Sequence, residues 1–151
     1  ARPSAMAPMH AVDVNVLMYA RFDAQASHES AYQLLTDLRV DPAGLALFPA
    51  VINGFLRLAT DFRVITEPLS AQIAMDYIDE LLASPTVRVV NPGADYWGIF
   101  RRLVATYPPR AADVSDLSLA ATAMEHHLTW HSYDRGFARI EGLAWVDPHP
   151  R

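Results

Sequence analysis

Short apolar runs alternate with longer amphipathic segments along this chain, and that alternation restricts its fold more than any other feature of the sequence. Five runs have the length and the apolar or β-branched content of buried strands, namely residues 10–12, 45–48, 87–90, 129–132 and 144–146. Short strands separated by helices are typical of α/β domains with parallel sheets. We therefore predict an α/β fold with a mainly parallel central sheet of four to five strands flanked by helices.

The segments between these strands carry apolar residues at the 3.6-residue period of a helix. For residues 14–19 the pattern leaves helix and strand open as alternatives. Ile73 is expected in the core stripe of its helix, and Trp97 and Phe100 are expected in the core rather than as platforms for nucleobases. Residues that cap a helix or fix its first turn are predicted to begin four of the helices: Ser27, Pro49, Pro68 with Ser70, and Ser115. A further helix is predicted over residues 95–107.

Length and composition limit the class of protein further. A chain of 151 residues can form one domain that buries about 70% of the surface exposed by its unfolded form. No apolar run approaches the roughly 20 residues of a membrane span, so no membrane association is expected. The absence of cysteine permits a reducing compartment, and a cytoplasmic location is the default expectation. Residues 1–8 are expected to be a leader or an expression remnant, and residues 9–149 a single domain.

The charge of the chain argues against a general binder of polyanions. Its net charge is −5, which disfavours a protein held to nucleic acid by long-range attraction. All twelve basic residues are arginine. Any contact with phosphate would therefore use a planar guanidinium, although a GC-rich genome is the preferred explanation for the lack of lysine.

Three aspartates occupy positions that a parallel sheet brings to one edge. Asp13 directly follows the first predicted strand, Asp134 follows the strand at 129–132, and Asp116 lies at the start of the preceding helix. Ligands of parallel sheets collect beyond the carboxyl ends of the strands. Clustered carboxylates suit Mg²⁺ or Mn²⁺, which can activate water and stabilise charge on a phosphoryl group.

Each of these acids also has an ordinary structural explanation. Asp13 could be a helix N-cap, Asp116 could complement a helix dipole, and Asp134 could be a turn residue. Asp113 is a candidate fourth acid, although a solvated loop position is the commoner explanation for it. Several arginines are candidates to border the acids and hold phosphates, with solvated surface as the alternative for at least half of them: Arg101, Arg102, Arg110, Arg135 and Arg139.

Four motifs, in this order, resemble those of the PIN-domain ribonucleases, and among these most of all the VapC toxins of bacterial toxin–antitoxin pairs. They are Asp13-Val14-Asn15-Val16-Leu17, Phe55-Leu56-Arg57-Leu58-Ala59-Thr60, Asp116-Leu117-Ser118-Leu119-Ala120-Ala121 and Tyr133-Asp134-Arg135-Gly136-Phe137-Ala138-Arg139. The resemblance runs from about residue 9 to residue 148. It implies a PIN-like fold and Mg²⁺- or Mn²⁺-dependent endoribonuclease activity on structured RNA such as transfer or ribosomal RNA. It also implies inhibition by a cognate antitoxin and a homodimer.

The resemblance also assigns roles to individual residues. Asp13, Asp116 and Asp134 match the acids that bind metal and carry catalysis, with Asn15 as the amide that supports the first acid. Asp113 is a candidate substitute for a missing acid. For RNA binding we single out Arg110 and Arg135 from the arginines near the predicted acidic edge.

Three positions depart from the pattern of the family. Gly54 stands where the family commonly has a glutamate, Val14 replaces a hydroxyl residue after the first aspartate, and Gly136 replaces an acid. Two functions therefore stay open. The first is an active metal-dependent endoribonuclease toxin, and the alternative is a catalytically impaired PIN-like module that binds antitoxin or RNA without cleaving. A metal-dependent phosphatase ranks last, because the sequence lacks the nucleophilic motif and the lysine that it would need.

Overall fold

The computed structural model describes residues 7–151, and within this range one sheet of five strands has the order β3-β2-β1-β4-β5. All pairings between neighbouring strands are parallel, so the predicted α/β class with a parallel sheet is confirmed. The predicted leader, residues 1–8, lies outside the described residues except for its last two. The strands are β1 (His10–Val12), β2 (Leu45–Leu47), β3 (Val87–Val89), β4 (Thr129–His131) and β5 (Trp145–Val146).

Helices fill the connections between the strands. Residues 14–19, for which helix and strand were both open, belong to the first helix. The helices are α1 (Val14–Arg21), α2 (His28–Leu38), α3 (Pro49–Ala59), α4 (Ala71–Leu82), α5 (Tyr96–Thr106) and α6 (Asp113–Glu125), and a 3-10 helix covers Arg135–Arg139. Among residues 7–151, no helix is both long and apolar enough to cross a membrane.

The strand order separates the helices into two groups. The chain moves from β1 to β2 to β3 in one direction and then returns to β4 on the other side of β1. Because parallel crossovers are right-handed, this reversal places α1 to α4 on one face of the sheet and α5 and α6 on the other. The helix contacts agree, since α1 packs on α2 and α3, α3 packs on α4, and α5 packs on α6.

Aromatic side chains pack against one another at the centre of the sheet. Trp130 of β4 is fully buried, with its ring stacked on Phe48 at a centroid distance of 5.5 Å. The ring of Phe137, from the 3-10 helix, meets Trp130 edge-on at 5.6 Å. Phe137 therefore ties the segment after β4 to the core.

Three local predictions were wrong, and a fourth was right in position only. Ser27 precedes α2 but makes no capping hydrogen bond through its side chain, since its backbone is not in the extended conformation of an N-cap (φ −95°, ψ 14°). The last helix begins at Asp113 instead of after Ser115. The Asp113 N–H donates to the Arg110 carbonyl at 2.8 Å, and this turn adds residues to the start of the helix. The other two errors concern burial.

Ile73 and Trp97 are exposed rather than buried. Ile73 is 51% exposed because α4 turns Ala74, Ile78 and Leu81 toward the core. A small alanine in that stripe gives a weaker hydrophobic signal than the neighbouring isoleucine. Trp97 is 61% exposed because α5 lies on α6 along one side only.

Candidate active site

Asp13 lies at the carboxyl end of β1 and is the N-cap of α1. Its Oδ1 accepts the Val14 N–H at 2.7 Å, so the N-cap explanation is confirmed as its local role. Its Oδ2 accepts the Ser132 hydroxyl at 2.7 Å. Only 6% of the residue is exposed, and burial raises the pKa of its carboxyl while these hydrogen bonds lower it.

Ser132 connects the end of β4 to the end of β1 and is a site residue that the sequence did not predict. Besides donating to Asp13, its Oγ accepts the Asn15 amide at 3.2 Å and the Asp134 backbone N–H at 3.1 Å. The Asn15 carbonyl oxygen in turn accepts the Tyr133 N–H at 3.2 Å. The sequence signal was a hydroxyl residue directly after a buried strand and two residues before an acid.

The position of β4 beside β1 makes this network possible. Val12 is paired with His131, and the Asp13 N–H donates to the His131 carbonyl at 2.9 Å. The chain therefore leaves both strands at the same edge of the sheet. Asp13 and Asp134 come together there, although they are 121 positions apart in the chain.

Asp134 caps the 3-10 helix that follows β4. Its Oδ1 accepts the Gly136 N–H at 2.8 Å, so the explanation of Asp134 as a turn residue is also confirmed. The residue is exposed, and its negative charge raises the pKa of Asp13. Capping leaves the carboxylate accessible at the edge of the sheet.

Asp116 reaches the same edge from the first turn of α6. Its carboxyl is half-buried, and its pKa is raised to about 6, first by burial and then by the negative charges of Asp134, Asp13 and Asp113. The positive charge of Arg139 lowers the pKa of Asp116. The predicted acids are thus close enough to repel one another, and Asp113 belongs to the same cluster.

The chemistry of these donors fits a hydrated divalent cation. No three acidic or histidine side chains within residues 7–151 converge closely enough to enclose an ion by themselves. Mg²⁺ does not require such a cage, since it usually keeps several waters and binds one or two carboxylates. A cation would also relieve the repulsion that raises the pKa of Asp116.

Two of the departures from the family pattern contact each other. A β-carbon at Gly54 of α3 would lie 3.4 Å from Cγ2 of Val14, the residue after Asp13. The valine methyl group therefore lies beside the position from which a glutamate would extend. In this chain α3 contributes an apolar contact there instead of a carboxylate.

The two arginines singled out for RNA binding have different surroundings. Arg135 is exposed, but its Nε lies 3.4 Å from Oδ2 of Asp147. Arg110 is exposed and precedes α6, with its backbone N–H 3.4 Å from Asp113 Oδ2. Their role in RNA binding stays a prediction. Arg139, by contrast, lies close enough to Asp116 to lower the pKa of that carboxyl.

Comparison with known proteins relates this geometry to a family. The model of the PIN domain family matches residues 11–143. Ribonuclease VapC43 of Mycobacterium tuberculosis is 42% identical over 140 residues, which span 93% of this chain and 95% of that protein. Ribonuclease VapC37 of the same organism is 34% identical over 142 residues, covering 93% of this chain and 97% of that protein.

Solved structures agree with the fold. VapBC2 from Rickettsia felis, bound to a DNA fragment from its promoter, matches with a TM-score of 0.66 at 17% identity, covering 91% of this chain and 97% of that chain. VapC20 of M. tuberculosis, described as a sarcin-ricin loop cleaving toxin, matches with a TM-score of 0.61 at 17% identity. The match covers 88% of this chain and 97% of that chain. The family-model match and the sequence identities confirm the predicted resemblance. The chain belongs to the PIN-domain family and, within it, to the VapC ribonucleases.

Proposed function

We propose that this chain is a Mg²⁺- or Mn²⁺-dependent endoribonuclease toxin that cleaves structured RNA, such as transfer or ribosomal RNA. The observation that carries the proposal is the meeting of Asp13 and Asp134 at the ends of the paired strands β1 and β4, joined through Ser132. Asp116 adds a third carboxylate from the first turn of α6, and its raised pKa agrees with nearby negative charge. Relatives at 42% and 34% identity are named ribonucleases, which supports the same chemistry here.

Asp13 and Asp116 would hold the metal, directly or through water, and Asp134 would complete the site. When bound, the metal supplies an activated water and neutralises charge on the scissile phosphate. The chain's own residues orient the site: Ser132 and Asn15 fix the Asp13 carboxylate and the backbone before Asp134. We expect cleavage to leave 5′-phosphate and 3′-hydroxyl ends.

The proposal includes two protein partners and a location. A cognate antitoxin would cover the acidic edge with a basic side chain, and support comes from fold neighbours described as toxin–antitoxin complexes, such as one from Klebsiella pneumoniae. A homodimer through apolar faces is supported by exposed residues such as Phe62 (77%) and Trp97 (61%). A monomer mass in light scattering of the purified chain would contradict the dimer.

The proposal also includes a cytoplasmic location, where structured RNA is abundant. It further includes a single domain that spans residues 9–149.

The decisive experiment sequences RNA ends after induction of the wild-type chain and of Asp13→Asn. We expect new 5′-phosphate ends at a small number of sites, absent with the variant. The same comparison with purified protein and Mg²⁺ or Mn²⁺, using Asp116→Asn, tests the catalytic assignment directly. Equal cleavage by wild type and Asp116→Asn would show that the assignment of these acids is wrong.

A second candidate function is an impaired PIN-like module that binds antitoxin or RNA without cleaving. The contact between Gly54 and Val14 favours it, since α3 offers no carboxylate to the site. Titration calorimetry with Mn²⁺ separates the two functions. Absence of binding at millimolar Mn²⁺ would support the impaired module, and binding together with cleavage would exclude it.

A further inference from the structure

Gly136 and Arg139 lie on the same side of the 3-10 helix that follows Asp134. Side chains three residues apart eclipse each other in a 3-10 helix, so Arg139 lies over the position that a side chain at Gly136 would occupy. A β-carbon at Gly136 would be 3.7 Å from Arg139 Nη1 and 3.0 Å from Asp134 Oδ1. The guanidinium and the Asp134 carboxylate therefore flank one small space at the acidic edge.

The packing of this 3-10 helix fixes the backbone position of Arg139. Asp134 caps the first turn, and Phe137 and Ile140 are buried on the opposite side, at 1% and 3% exposure. The backbone at position 139 is thereby held between two buried residues. Its side chain is exposed and extends back along the helix, where Nη1 donates to the Gly136 carbonyl at 3.5 Å.

The guanidinium of Arg139 is not neutralised by a neighbouring acid. Ion pairs within residues 7–151 engage Arg39, Arg63 and Arg135, and none includes Arg139. Its single hydrogen bond is long, so most of its five N–H donors remain available to a ligand. Arg135, four residues earlier on the same helix, has an Asp147 oxygen at 3.4 Å.

A positively charged side chain at this edge favours substrate binding, in addition to a bound metal, for a physical reason. A phosphodiester that approaches Asp13, Asp116 and Asp134 meets like charge, and the chain as a whole carries a net charge of −5. Arg139 lies at this cluster, since its Nη1 and Asp134 Oδ1 would lie 3.7 Å and 3.0 Å from a β-carbon at Gly136. A guanidinium binds phosphate oxygens through two parallel N–H donors, which fixes orientation as well as charge.

We propose that Arg139 is the residue of this chain that binds the phosphodiester at the carboxylate cluster, through hydrogen bonds from its guanidinium to the non-bridging oxygens. The role rests on the proposed ribonuclease function, because it concerns the same site. Gly136 leaves the Asp134 carboxylate uncrowded beside the guanidinium, since a β-carbon there would lie 3.0 Å from Asp134 Oδ1.

The test measures the binding of fluorescein-labelled transfer RNA in EDTA, where no cleavage occurs, across a series of salt concentrations. For wild type, log Kd rises with log salt in proportion to the number of phosphates contacted. We expect Arg139→Ala to reduce that slope by about 0.7 to 1, the value for one lost phosphate contact. Arg139→Lys keeps the charge, and we expect it to keep the slope.

Arg63→Ala is the matched control, because Arg63 is exposed and paired with Asp61 at 3.0 Å, outside the cluster. Its slope should equal that of wild type. An unchanged slope for Arg139→Ala would overturn the proposal. An equal reduction of the slope in Arg139→Lys and Arg139→Ala, together with a lower melting temperature of both variants, would also overturn it, since that result indicates a structural role.

Cleavage assays separate failure of this inference from failure of the proposed function. If wild type cleaves RNA with Mn²⁺, we expect Arg139→Ala to lower kcat/KM by about 10- to 100-fold, the range for one charge-assisted contact of about 1.4 to 2.8 kcal/mol. If wild type is active and Arg139→Ala has the same kcat/KM, the role of Arg139 is overturned and the proposed function is not. Absence of wild-type activity would count against the proposed function, while the salt slope would still decide the role of Arg139.

Discussion

At the scale of single residues, Ser132 determines how the acidic edge is ordered. Its hydroxyl is completely buried, donates to the Asp13 carboxylate and accepts N–H groups from Asn15 and Asp134. One side chain thus connects two predicted metal ligands that lie far apart in the chain. A buried carboxylate that loses such a donor keeps its desolvation cost without compensation.

We predict that Ser132→Ala destabilises the protein by about 1–3 kcal/mol, the cost of leaving buried polar groups without a partner. It should also weaken Mn²⁺ binding, since the Asp13 carboxylate loses its 2.7 Å hydrogen bond. Urea unfolding and titration calorimetry measure the two effects. Ser118→Ala is the control, because the Ser118 hydroxyl bonds only the neutral Tyr96 hydroxyl at 2.6 Å and should affect stability alone.

The raised pKa of Asp116 predicts a pH dependence with a definite sign. The pKa is 3.8 for the ordinary group and about 6 in the folded protein, so the folded state binds the proton more tightly. The contribution of Asp116 to stability is therefore fully present below about pH 4 and is lost as the pH rises to about 6. Asp13, whose pKa is also raised, contributes with the same sign.

Thermal melts at several pH values measure this effect in protein free of divalent metal. We expect the melting temperature of Asp116→Asn minus that of wild type to increase from pH 4 to pH 6. The comparison isolates Asp116, because burial lowers the pKa of His131 to about 4 and His131 changes the stability of both proteins with the opposite sign. Added Mn²⁺ should raise the melting temperature more at pH 7.5 than at pH 5, because binding requires the ionised carboxylate. A Mn²⁺ effect independent of pH would contradict the role of Asp116 as a ligand.

At the scale of elements, the contact of α3 with the start of α1 decides how many carboxylates the edge contains. Gly54 faces Val14, and the space between the helices is just sufficient for a β-carbon, 3.4 Å from the valine methyl. The site therefore lacks an acid from α3, although the helix passes beside it. Restoring a carboxylate there is a direct test of how complete the site is.

We predict that Gly54→Glu increases the affinity for Mn²⁺ by about tenfold, which corresponds to about 1.4 kcal/mol. It should also stabilise α3 slightly, because glycine is the poorer helix former by about 0.5–1 kcal/mol. Gly98→Glu is the matched control, since Gly98 lies inside α5 and a β-carbon there would meet nothing within 4 Å. Equal Mn²⁺ affinity in both variants would show that α3 does not face the metal site.

The 3-10 helix depends on Phe137, which anchors it against Trp130. We predict that Phe137→Ala lowers the free energy of unfolding by about 3–5 kcal/mol, the usual cost of removing a buried aromatic ring. RNA binding should fall with it, because Arg139, the proposed phosphate-binding residue, is the last residue of this helix. Val40→Ala, at a residue 69% exposed, serves as the control and should change stability by less than about 0.5 kcal/mol.

At the scale of the whole molecule, the site exists because the chain reverses direction after β3 and inserts β4 beside β1. This arrangement brings the ends of two central strands together, with α6 delivering Asp116 from the other face. The strands and the alternation of helices were predictable from the sequence, since short apolar runs bounded by turn residues are local signals. Trp97 and Ile73 were not, because their exposure depends on which side of a helix receives a neighbour.

The sequence by itself determined the α/β class, the five strands and the order of the acids along the chain, because each is recorded in local composition and spacing. The tertiary structure decided which of those residues meet. The hydrogen bonds of Ser132, the contact of Gly54 with Val14 and the free guanidinium of Arg139 depend on strand order and helix packing. These contacts join segments distant in the chain, and no periodicity in the sequence specifies such a contact.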